Sequence, residues 1–480
     1  MTKAQPHWTG DHDAALDRAA AAAADFRRAS PARAHRPSTD FAAMRDLFAK
    51  IPLPEQGREG TTVVDELVAL AEPGLSAMTG PRFFGWVIGG SHPVGVAADW
   101  LTSAWGQNCG NHLATPSAAA CEEAAARWLL DILDLPRDCS VGFSTGATAA
   151  NFIGLAAARS RVLADHGWNV EADGLFGAPP VHVVLGDEAH ISVFAALQYL
   201  GLGRQRVVTV PSDAMGRMRL DAVAARLAEL DGPVIVVAQA GQLNTGGFDP
   251  VGDIADLAKK RGAWVHVDGA FGLWARASAA TAPLAAGVER ADSWATDGHK
   301  WLQTPYDCGY AIVRDAEFHR RAMAATASYL PTAETGDRNP VDYVPELSRR
   351  ARGFATWAMI RALGRAGISD MVARHCRLAR RMADALAAEP DIEIVNDVVL
   401  NQLAVRFGAG RPIAEGDAHT KAVIDRIQSD GVCFAGGALW KGRWIMRISV
   451  IAWSTTESDI DASAAAIAQA WRSERGRNAA

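Results

Sequence analysis

The sequence contains few cysteines and no long apolar segment. Its six cysteines are scattered over 480 residues without the paired spacing of a metal site, and we expect them to be reduced thiols of a cytoplasmic protein. No apolar run approaches the roughly 20 residues that a transmembrane helix needs. The first residues also lack the basic and apolar stretches of a signal peptide. The sequence therefore predicts neither a metal site nor a membrane segment.

An excess of positive charge is also missing. Lys and Arg number 48 and Asp and Glu number 54, which gives a formal net charge of −6. Charges of both signs are interspersed along the chain, whereas nucleic acids and anionic membranes attract clustered basic residues. We therefore expect no nucleic-acid partner and no membrane partner.

Three regions differ in their hydrophobic pattern. Residues 1–80 combine helical stretches with polar breaks and lack an independent core, which predicts a helical N-terminal arm that packs on something else. Residues 81–345 contain seven short β-branched runs that alternate with helical stretches. This alternation predicts a large α/β domain around a buried, mostly parallel seven-stranded sheet. Residues 346–480 mix helices with short strands and are expected to form a small α+β C-terminal domain.

Two ionisable residues follow predicted strands of this sheet. Asp268 ends the apolar run AWVHVDGA, and Lys300 follows the run DSWATD in the segment GHKW. Ligands of open parallel sheets bind beyond the carboxyl ends of the strands, and a buried carboxylate requires a cation or a strong donor. These places suit pyridoxal 5′-phosphate (PLP), whose aldehyde binds a lysine and whose protonated ring nitrogen binds an acid. Taken singly, a surface charge at Lys300 and a cap or turn at Asp268 are the simpler interpretations.

Two further segments also follow predicted strands. The segment STGATAAN (144–151) opens a helix, so its free N–H groups suit an anion. It lacks the GK[ST] ending of a P-loop, and a monophosphate fits it better than a triphosphate, although a plain helix cap explains it as well. His190 lies in GDEAHIS, where its imidazole either stacks on a flat ring or serves a structural role.

The segments STGATAAN, DEAHIS, AGQLNTGGFDP, HVDGA and DGHKW together resemble those of the group II PLP-dependent decarboxylases, which include the aromatic-L-amino-acid and glutamate decarboxylases. The resemblance extends from about residue 60 to the end, and its most specific element is the spacing of 32 residues between Asp268 and Lys300. It implies the PLP-dependent transferase fold (fold type I), PLP as cofactor, and a homodimer with the active site at the subunit interface.

The resemblance also implies roles for matching positions. Lys300 matches the lysine that binds the cofactor as a Schiff base, Asp268 the partner of the ring nitrogen, and His190 the imidazole that stacks on the ring. Tyr329 matches the catalytic proton donor, on a loop of residues 326–342 that closes over the active site of the neighbouring subunit. The other cofactor-binding positions are Ala147, Thr148 and His299 near the phosphate and Ala270 near the ring face.

Four features depart from the family pattern. Asp297 and Gly298 stand where the family often has Asn-Pro, Ala149 stands where Glu is common, and Leu243 stands where a Thr is common. The loop QLNTGGFD also differs from the Thr-rich version that is usual in the family. An Asp beside a phosphate is repulsive unless it points away or caps another group. These departures concern the phosphate contacts and leave the cofactor assignment unchanged.

Aromatic side chains lie in segments that match the family's substrate pocket. Phe84 and Trp86 in RFFGWVIGG and Trp105 at the next helix end are the candidate pocket residues, whereas Phe83 is expected in the core. They favour an aromatic L-amino acid, which the enzyme would convert to its amine and carbon dioxide. The alternatives are an acidic amino-acid substrate, a decarboxylation-dependent aldehyde synthase and a carbon–carbon lyase.

Two residues of the C-terminal region are further candidates. Trp440, in GGALWKG, is positioned to reach the site from the small domain. Arg447, in MRISV, either binds a substrate carboxylate or forms a structural ion pair, and we expect the ion pair.

Overall fold

The structure is a computed structural model that describes residues 12–324 and 337–477. Its largest feature is a seven-stranded sheet. Its strands are β1 (Ser140–Ser144), β2 (His182–Gly186), β3 (Val208–Val210), β4 (Val234–Gln239), β5 (Trp264–Asp268), β6 (Ser293–Asp297) and β7 (Gly309–Val313). The order across the sheet is β1-β7-β6-β5-β4-β2-β3. β7 runs antiparallel to β1 and β6, and the other pairs are parallel. The predicted mostly parallel seven-stranded sheet is therefore confirmed.

Helices cover both faces of this sheet. They are α4 (Pro93–Trp105), α5 (Pro116–Ile132), α6 (Ala147–Ala164), α7 (Val170–Asp173), α8 (Ile191–Tyr199), α9 (Leu220–Glu229), α10 (Val251–Arg261) and α11 (Ala316–Met323). Successive residues of a strand point to opposite faces. Val183 and Leu185 accordingly pack against α6 and α8, whereas Val184 belongs to the core under α9 and α10. Continuous apolar runs such as VIVVAQ suit strands that are buried on both faces.

Short 3₁₀ helices connect some of these elements and the neighbouring regions. They are Glu72–Gly74, Gly272–Ala277, Ala282–Ala285, Val288–Arg290 and Pro340–Tyr343.

The C-terminal part forms a second, smaller core. Its elements are α12 (Gly353–Ala387), β8 (Ile392–Ile394), β9 (Gln402–Phe407), α13 (Ile413–Asp430), β10 (Gly436–Trp440), β11 (Arg443–Ser449) and α14 (Glu457–Arg477). The four strands form an antiparallel sheet in the order β10-β11-β9-β8. Helices α12, α13 and α14 pack on this sheet and bury a common apolar cluster. This is the small α+β domain that the sequence predicts.

Helix α12 belongs to both cores. Met359 and Met371, in its first part, pack into the large-domain core, whereas Leu378 and Met382 pack into the small one. The helix departs from helical dihedral angles at Gly364, with φ 61° and ψ 176°. The stretch between Met371 and Leu378, where the contacts change from one core to the other, is continuous helix.

Three helices form the N-terminal arm: α1 (His12–Ala29), α2 (Phe41–Ala49) and α3 (Gly60–Ala71). No residue of α2 or α3 is buried, and Phe41 and Leu53 are 79% and 93% exposed. An apolar groove lies between α1, α3 and α4. Within residues 12–324 and 337–477, no helix has the length and apolar character needed to cross a membrane.

The short segment 82–84 packs with the small domain. The Phe84 N–H donates to the Phe434 carbonyl at 2.8 Å, and the Ser449 N–H donates to the Phe84 carbonyl at 3.1 Å. The Phe84 ring is fully buried in the small-domain core. The predicted division at residue 81 assigned this segment to the large domain. The structure instead places it beside β11, because its backbone groups extend that sheet.

Candidate active site

The carboxyl edge of the seven-stranded sheet brings together residues from distant parts of the sequence. Asp268 is the last residue of β5, and Lys300 follows the end of β6 at Asp297. β5 and β6 are neighbours, with Asp268 opposite Ala295. His190 follows β2, and helix α6 begins just after β1. Parallel strands thus place the lysine, the aspartate and the histidine at one edge, as the sequence predicts.

Lys300 is paired with a buried carboxylate. Its Nζ lies 3.0 Å from Oδ2 of Asp297, whose side chain is only 2% exposed. Oδ1 of Asp297 accepts a hydrogen bond from the Ala147 N–H, at the start of α6, at 2.6 Å. The sequence left open whether an Asp at position 297 points away from the phosphate segment or caps another group. The structure shows that it caps α6 and binds the lysine amine.

His299 lies against the same carboxylate. Its Nε2 is 3.6 Å from Oδ1 of Asp297, and its Nδ1 accepts a hydrogen bond from the Cys308 N–H at 3.2 Å. Burial lowers the pKa of His299. A Cβ at Gly146 would lie 3.0 Å from Cε1 of His299, so the close approach of these segments favours a glycine.

Asp268 is a nearly dehydrated carboxylate with few protein partners. It is 4% exposed, and the Ala270 N–H donates to its Oδ1 at a long 3.3 Å. A buried carboxylate is costly unless a cation or further donors compensate it. Asp268 and His190 line one small cavity. This corner of the site is therefore suited to a cationic N–H group of a ligand.

His190 lies among the charges of the site. Burial is the main cause that lowers the pKa of His190. The positive charges of Lys300 and Arg447 also lower it, whereas the negative charges of Asp268 and Asp297 raise it. Its Nδ1 lies 2.8 Å from the Ser192 hydroxyl. The imidazole caps helix α8, which fixes its place at the end of β2.

Arg447 is a buried guanidinium that forms no ion pair with any described residue. One of its terminal N–H groups donates to the Leu243 carbonyl at 3.0 Å, and its Nε is buried without a partner. Burial lowers the pKa of Arg447 to about 10. The expected structural ion pair is therefore wrong, because among the described residues the polar partner of this side chain is a backbone carbonyl and not a carboxylate.

A second contact joins the small domain to the site. The indole N–H of Trp440 donates to Oε2 of Glu188 at 3.1 Å. Glu188 lines the same small cavity as Asp268 and His190, and burial raises the pKa of Glu188. Trp440 thus reaches the edge of the site, as the sequence indicates, through a carboxylate that sequence reasoning missed. The position of Glu188, two residues before His190 at a strand end, was the available signal.

The predicted aromatic pocket is only partly available to a ligand. Phe84 is packed in the small-domain core, so its assignment to the pocket is corrected. Trp86 is 56% exposed and packs on Phe434 at 5.2 Å between ring centroids. Trp105 is 51% exposed and meets Phe354 edge-on at 5.1 Å. Tyr329 lies outside the described residues.

The remaining predicted cofactor positions follow the ends of strands β1 and β5. Ala147 and Thr148 begin α6, and Ala270 follows β5 with its N–H on Asp268. Within the described part of the chain, no group of three or more His, Cys, Asp or Glu side chains is arranged to hold a metal ion.

These residues fit PLP, the cofactor that the family resemblance implies. Asp268 has a buried carboxylate that accepts one long hydrogen bond from the protein and could bind the ring nitrogen. Lys300 has a primary amine that could bind the aldehyde. His190 lies beside both. At the start of α6, the Ala147 N–H already donates its hydrogen bond to Asp297. The groups that could hold the phosphate are therefore the later N–H groups of this turn and His299.

Comparisons with known proteins identify a family for this chain. The pyridoxal-dependent decarboxylase conserved domain matches residues 46–407. The aromatic-L-amino-acid decarboxylase of Bacillus atrophaeus is 27% identical over 362 residues, which cover 74% of this chain and 73% of that protein. An acidic amino acid decarboxylase of Xenopus tropicalis is 29% identical over 328 residues, which cover 66% of this chain and 62% of that protein.

Solved structures show the same fold. The Oryza sativa TDC, solved with PLP and tryptamine, matches with a TM-score of 0.90 at 22% identity, covering 98% of this chain and 100% of that one. This likeness confirms the predicted fold type I. The domain match spans most of the sequence. It shows that the cofactor is PLP and that the reaction is the decarboxylation of an amino acid. The chain belongs to the pyridoxal-dependent decarboxylase family.

Proposed function

We propose that the chain decarboxylates an aromatic L-amino acid to its amine, with Lys300 as the cofactor lysine, Asp268 as the ring-nitrogen partner and His190 as the stacking imidazole. The observation that carries the site assignment is the meeting of these three side chains at one sheet edge. Half-exposed Trp86 and Trp105 support an aromatic substrate, because both offer ring surface that the core does not cover.

Each side chain has a distinct task in this reaction. When bound, PLP supplies an electron sink for the electron pair released as carbon dioxide leaves. Asp268, almost free of water, holds a proton on the ring nitrogen. The buried surroundings of the site exclude water that would stabilise the charge of the departing carboxylate. Tyr329, which lies outside the described residues, is our candidate for the proton donor to Cα, on the family resemblance alone.

The lysine assignment is tested by borohydride reduction of the holoenzyme followed by peptide mapping. We expect the label on the peptide that contains Lys300, and we expect Lys300→Ala to lose both label and carbon dioxide release. Lys260→Ala, which changes an exposed lysine at the end of α10, is the matched control and should keep both. Label on another lysine would overturn the assignment.

The product distinguishes the reaction from its alternatives. With wild-type enzyme we expect amine and carbon dioxide in equal amounts and no oxygen consumption. Aldehyde with oxygen consumption would identify an aldehyde synthase instead, and cleavage without carbon dioxide would identify a carbon–carbon lyase. For Tyr329→Phe we expect less amine. Unchanged amine formation by this variant would refute the donor assignment.

An acidic substrate is the second candidate, and Arg447 favours it. An unpaired buried guanidinium beside His190 is suited to a carboxylate, and an acidic amino acid carries one more carboxylate than an aromatic one. Carbon dioxide release from a panel of aromatic and acidic amino acids separates the candidates. Release from glutamate, aspartate or a sulfinate analogue but not from aromatic amino acids would replace the first proposal with the second.

A homodimer with the active site at its interface is also proposed. The arm exposes Leu67 and other apolar side chains along the groove between α1, α3 and α4, where a second copy would bury them. We expect light scattering to report a dimer for the wild type and a monomer for Leu67→Asp. Leu439→Asp, at an equally exposed leucine of the small domain, is the control. A monomeric wild type would refute the proposal.

The arm, the large domain and the small domain, with limits at 1–80, 81–345 and 346–480, are proposed as the structural units, except that residues 82–84 pack with the small domain. The protein is proposed to act in the cytoplasm, and its six free cysteines support this location because an oxidising compartment favours disulfides.

A further inference from the structure

A chain of buried polar side chains runs from the start of β5 to His190. The Trp264 indole N–H donates to the Ser293 hydroxyl at 2.8 Å, and this hydroxyl lies 2.8 Å from Nδ1 of His266. Nε2 of His266 lies 2.9 Å from Oδ1 of Asn151, in the second turn of α6. The chain so far connects two neighbouring strands with the helix that covers them.

The same chain continues to the active site. Nδ2 of Asn151 donates to the Ser192 hydroxyl at 3.2 Å, and this hydroxyl lies 2.8 Å from Nδ1 of His190. His266 and Asn151 are completely buried, and Ser192 is nearly so. Water therefore has little access to the bonds among His266, Asn151 and Ser192, and these polar atoms depend on their neighbours in the chain.

Two groups at the ends of the chain can only donate. One is the Trp264 indole N–H. The other is the backbone N–H of Ser192, which donates to Nδ1 of His190 at 3.2 Å. Nδ1 of His190 must therefore be an acceptor without a proton. It follows that the Ser192 hydroxyl also donates to Nδ1 and accepts the Asn151 amide N–H.

The remaining directions follow from these two ends. Oδ1 of Asn151 accepts, so Nε2 of His266 carries the proton. Burial lowers the pKa of His266 to about 3, so this imidazole is neutral and its Nδ1 accepts the Ser293 hydroxyl. The Ser293 oxygen accepts the Trp264 N–H. Every bond donates towards His190.

The reverse arrangement fails at one point. A flipped Asn151 amide would accept from the Ser192 hydroxyl, and this hydroxyl would then need a proton from Nδ1 of His190. That proton would face the backbone N–H of Ser192, so that two donors would point at each other. The arrangement that donates towards His190 is the one that satisfies every buried atom.

We propose that this hydrogen-bond chain holds His190 in its neutral form with the proton on Nε2, and that Asn151 and His266 are positioning residues of the active site. The proposal rests on the proposed function only in placing His190 at the cofactor. Among the described residues, no acceptor binds Nε2 of His190, so its N–H is free to donate to the bound cofactor or substrate.

Charged groups on several elements affect the protonation of the His190 imidazole. Asp268 at the end of β5 and Asp297 at the end of β6 favour its protonated form, whereas Lys300 and Arg447 oppose it. Two hydrogen bonds donated to a bare Nδ1 stabilise the neutral form. A network that served only to satisfy buried groups would leave the titration of His190 unaffected by changes along it.

The experiment is ¹⁵N solid-state NMR on holoenzyme with labelled histidine rings, with the His190→Gln variant used to identify the His190 signals. At neutral pH we expect a bare nitrogen at Nδ1 and a protonated nitrogen at Nε2. In Asn151→Asp the carboxylate no longer donates to Ser192, whose hydroxyl turns towards it. The titration midpoint of His190 should then rise by about one pH unit or more.

Two further variants keep the test decisive if Asn151→Asp does not fold. Ser192→Ala removes one of the two donors to Nδ1, and we expect a rise of up to about one pH unit in the midpoint. Ser160→Ala removes a buried hydroxyl of α6 that has no partner, and it should leave the midpoint unchanged.

A functional readout accompanies the spectra. In both network variants, the acid limb of the pH dependence of kcat/KM should move to higher pH with the midpoint. A wild-type His190 protonated on Nδ1, or a midpoint that Ser192→Ala leaves unchanged, would overturn the proposal. Because the spectra do not depend on turnover, they decide it even for an enzyme whose substrate differs from the one proposed above.

Discussion

Replacing Gly309 by Ala should disturb the start of α6 and with it the cofactor site. Gly309 is the first residue of β7 and lies between Ser144 of β1 and Asp297 of β6. A Cβ at this position would lie 2.4 Å from Cα of Gly146, and 2.7 and 2.9 Å from its carbonyl carbon and nitrogen. All three atoms are backbone, so no side-chain rotation relieves the overlap, and the segment that leads into α6 must move.

The cost of such overpacking is about 1–3 kcal/mol. The moved segment carries the Ala147 N–H, which donates a hydrogen bond to Asp297, and Asp297 in turn pairs with Lys300. We therefore expect much of the cost to appear in cofactor binding. A loss of about 1.4 kcal/mol corresponds to a tenfold higher Kd for PLP.

The assay is a titration of dialysed enzyme with PLP, followed by absorbance, together with urea unfolding of the same samples. Gly436→Ala makes the same chemical change in β10, where no atom lies within 4 Å of the added Cβ, and should behave as wild type. If Gly309→Ala binds PLP and unfolds as the wild type does, the close approach of β7 and Gly146 has no role in the site.

The remaining predictions concern stability. Complete burial lowers the pKa values of three histidines to about 3: His266, His319 and His375. Since the unfolded chain binds these protons below about pH 6.5 and the folded chain does not, the free energy of unfolding should fall as pH is lowered from 6.5 towards 3. The slope from these groups reaches about 4 kcal/mol per pH unit, and urea midpoints that are equal at pH 7 and pH 5 would contradict it. Glu122 is fully buried and binds Arg349 through two bonds of 2.6 and 2.7 Å. Glu122→Gln should therefore lower the free energy of unfolding by about 3–5 kcal/mol, whereas Glu123→Gln, on the exposed side of α5, should change it by less than about 1 kcal/mol.

Local patterns in the sequence determine much of this fold. Short, mostly apolar runs identify the seven strands, because a strand buried on both faces carries few polar residues. Their alternation with helices then puts strand ends at one edge, which is why two residues that follow predicted strands, Lys300 and Asp268, could be expected to lie close together. The reversed direction of β7 is not visible in this way, since its run GYAIV resembles that of a parallel strand.

Contacts between distant segments were beyond the sequence patterns. Phe84 lies in an aromatic, Gly-rich segment typical of a pocket loop, yet its backbone pairs with β11, more than 360 residues later. Arg447 alternates with apolar neighbours as a surface ion-pair residue would, and only the folded chain shows that, among the described residues, its hydrogen-bond partner is a backbone carbonyl. Asn151 and His266 lie in recognised motifs, but their link to His190 depends on the packing of α6 across the sheet.

Helix α12 has a mechanical consequence. Its apolar side chains enter the large core up to Cys376 and the small core from Leu378, and the helix is regular between them. Rotation of one domain against the other would have to bend the helix in that stretch, because the irregular residue, Gly364, lies well before it. We therefore expect Trp440 and Arg447 to keep their positions relative to the sheet edge when a ligand binds.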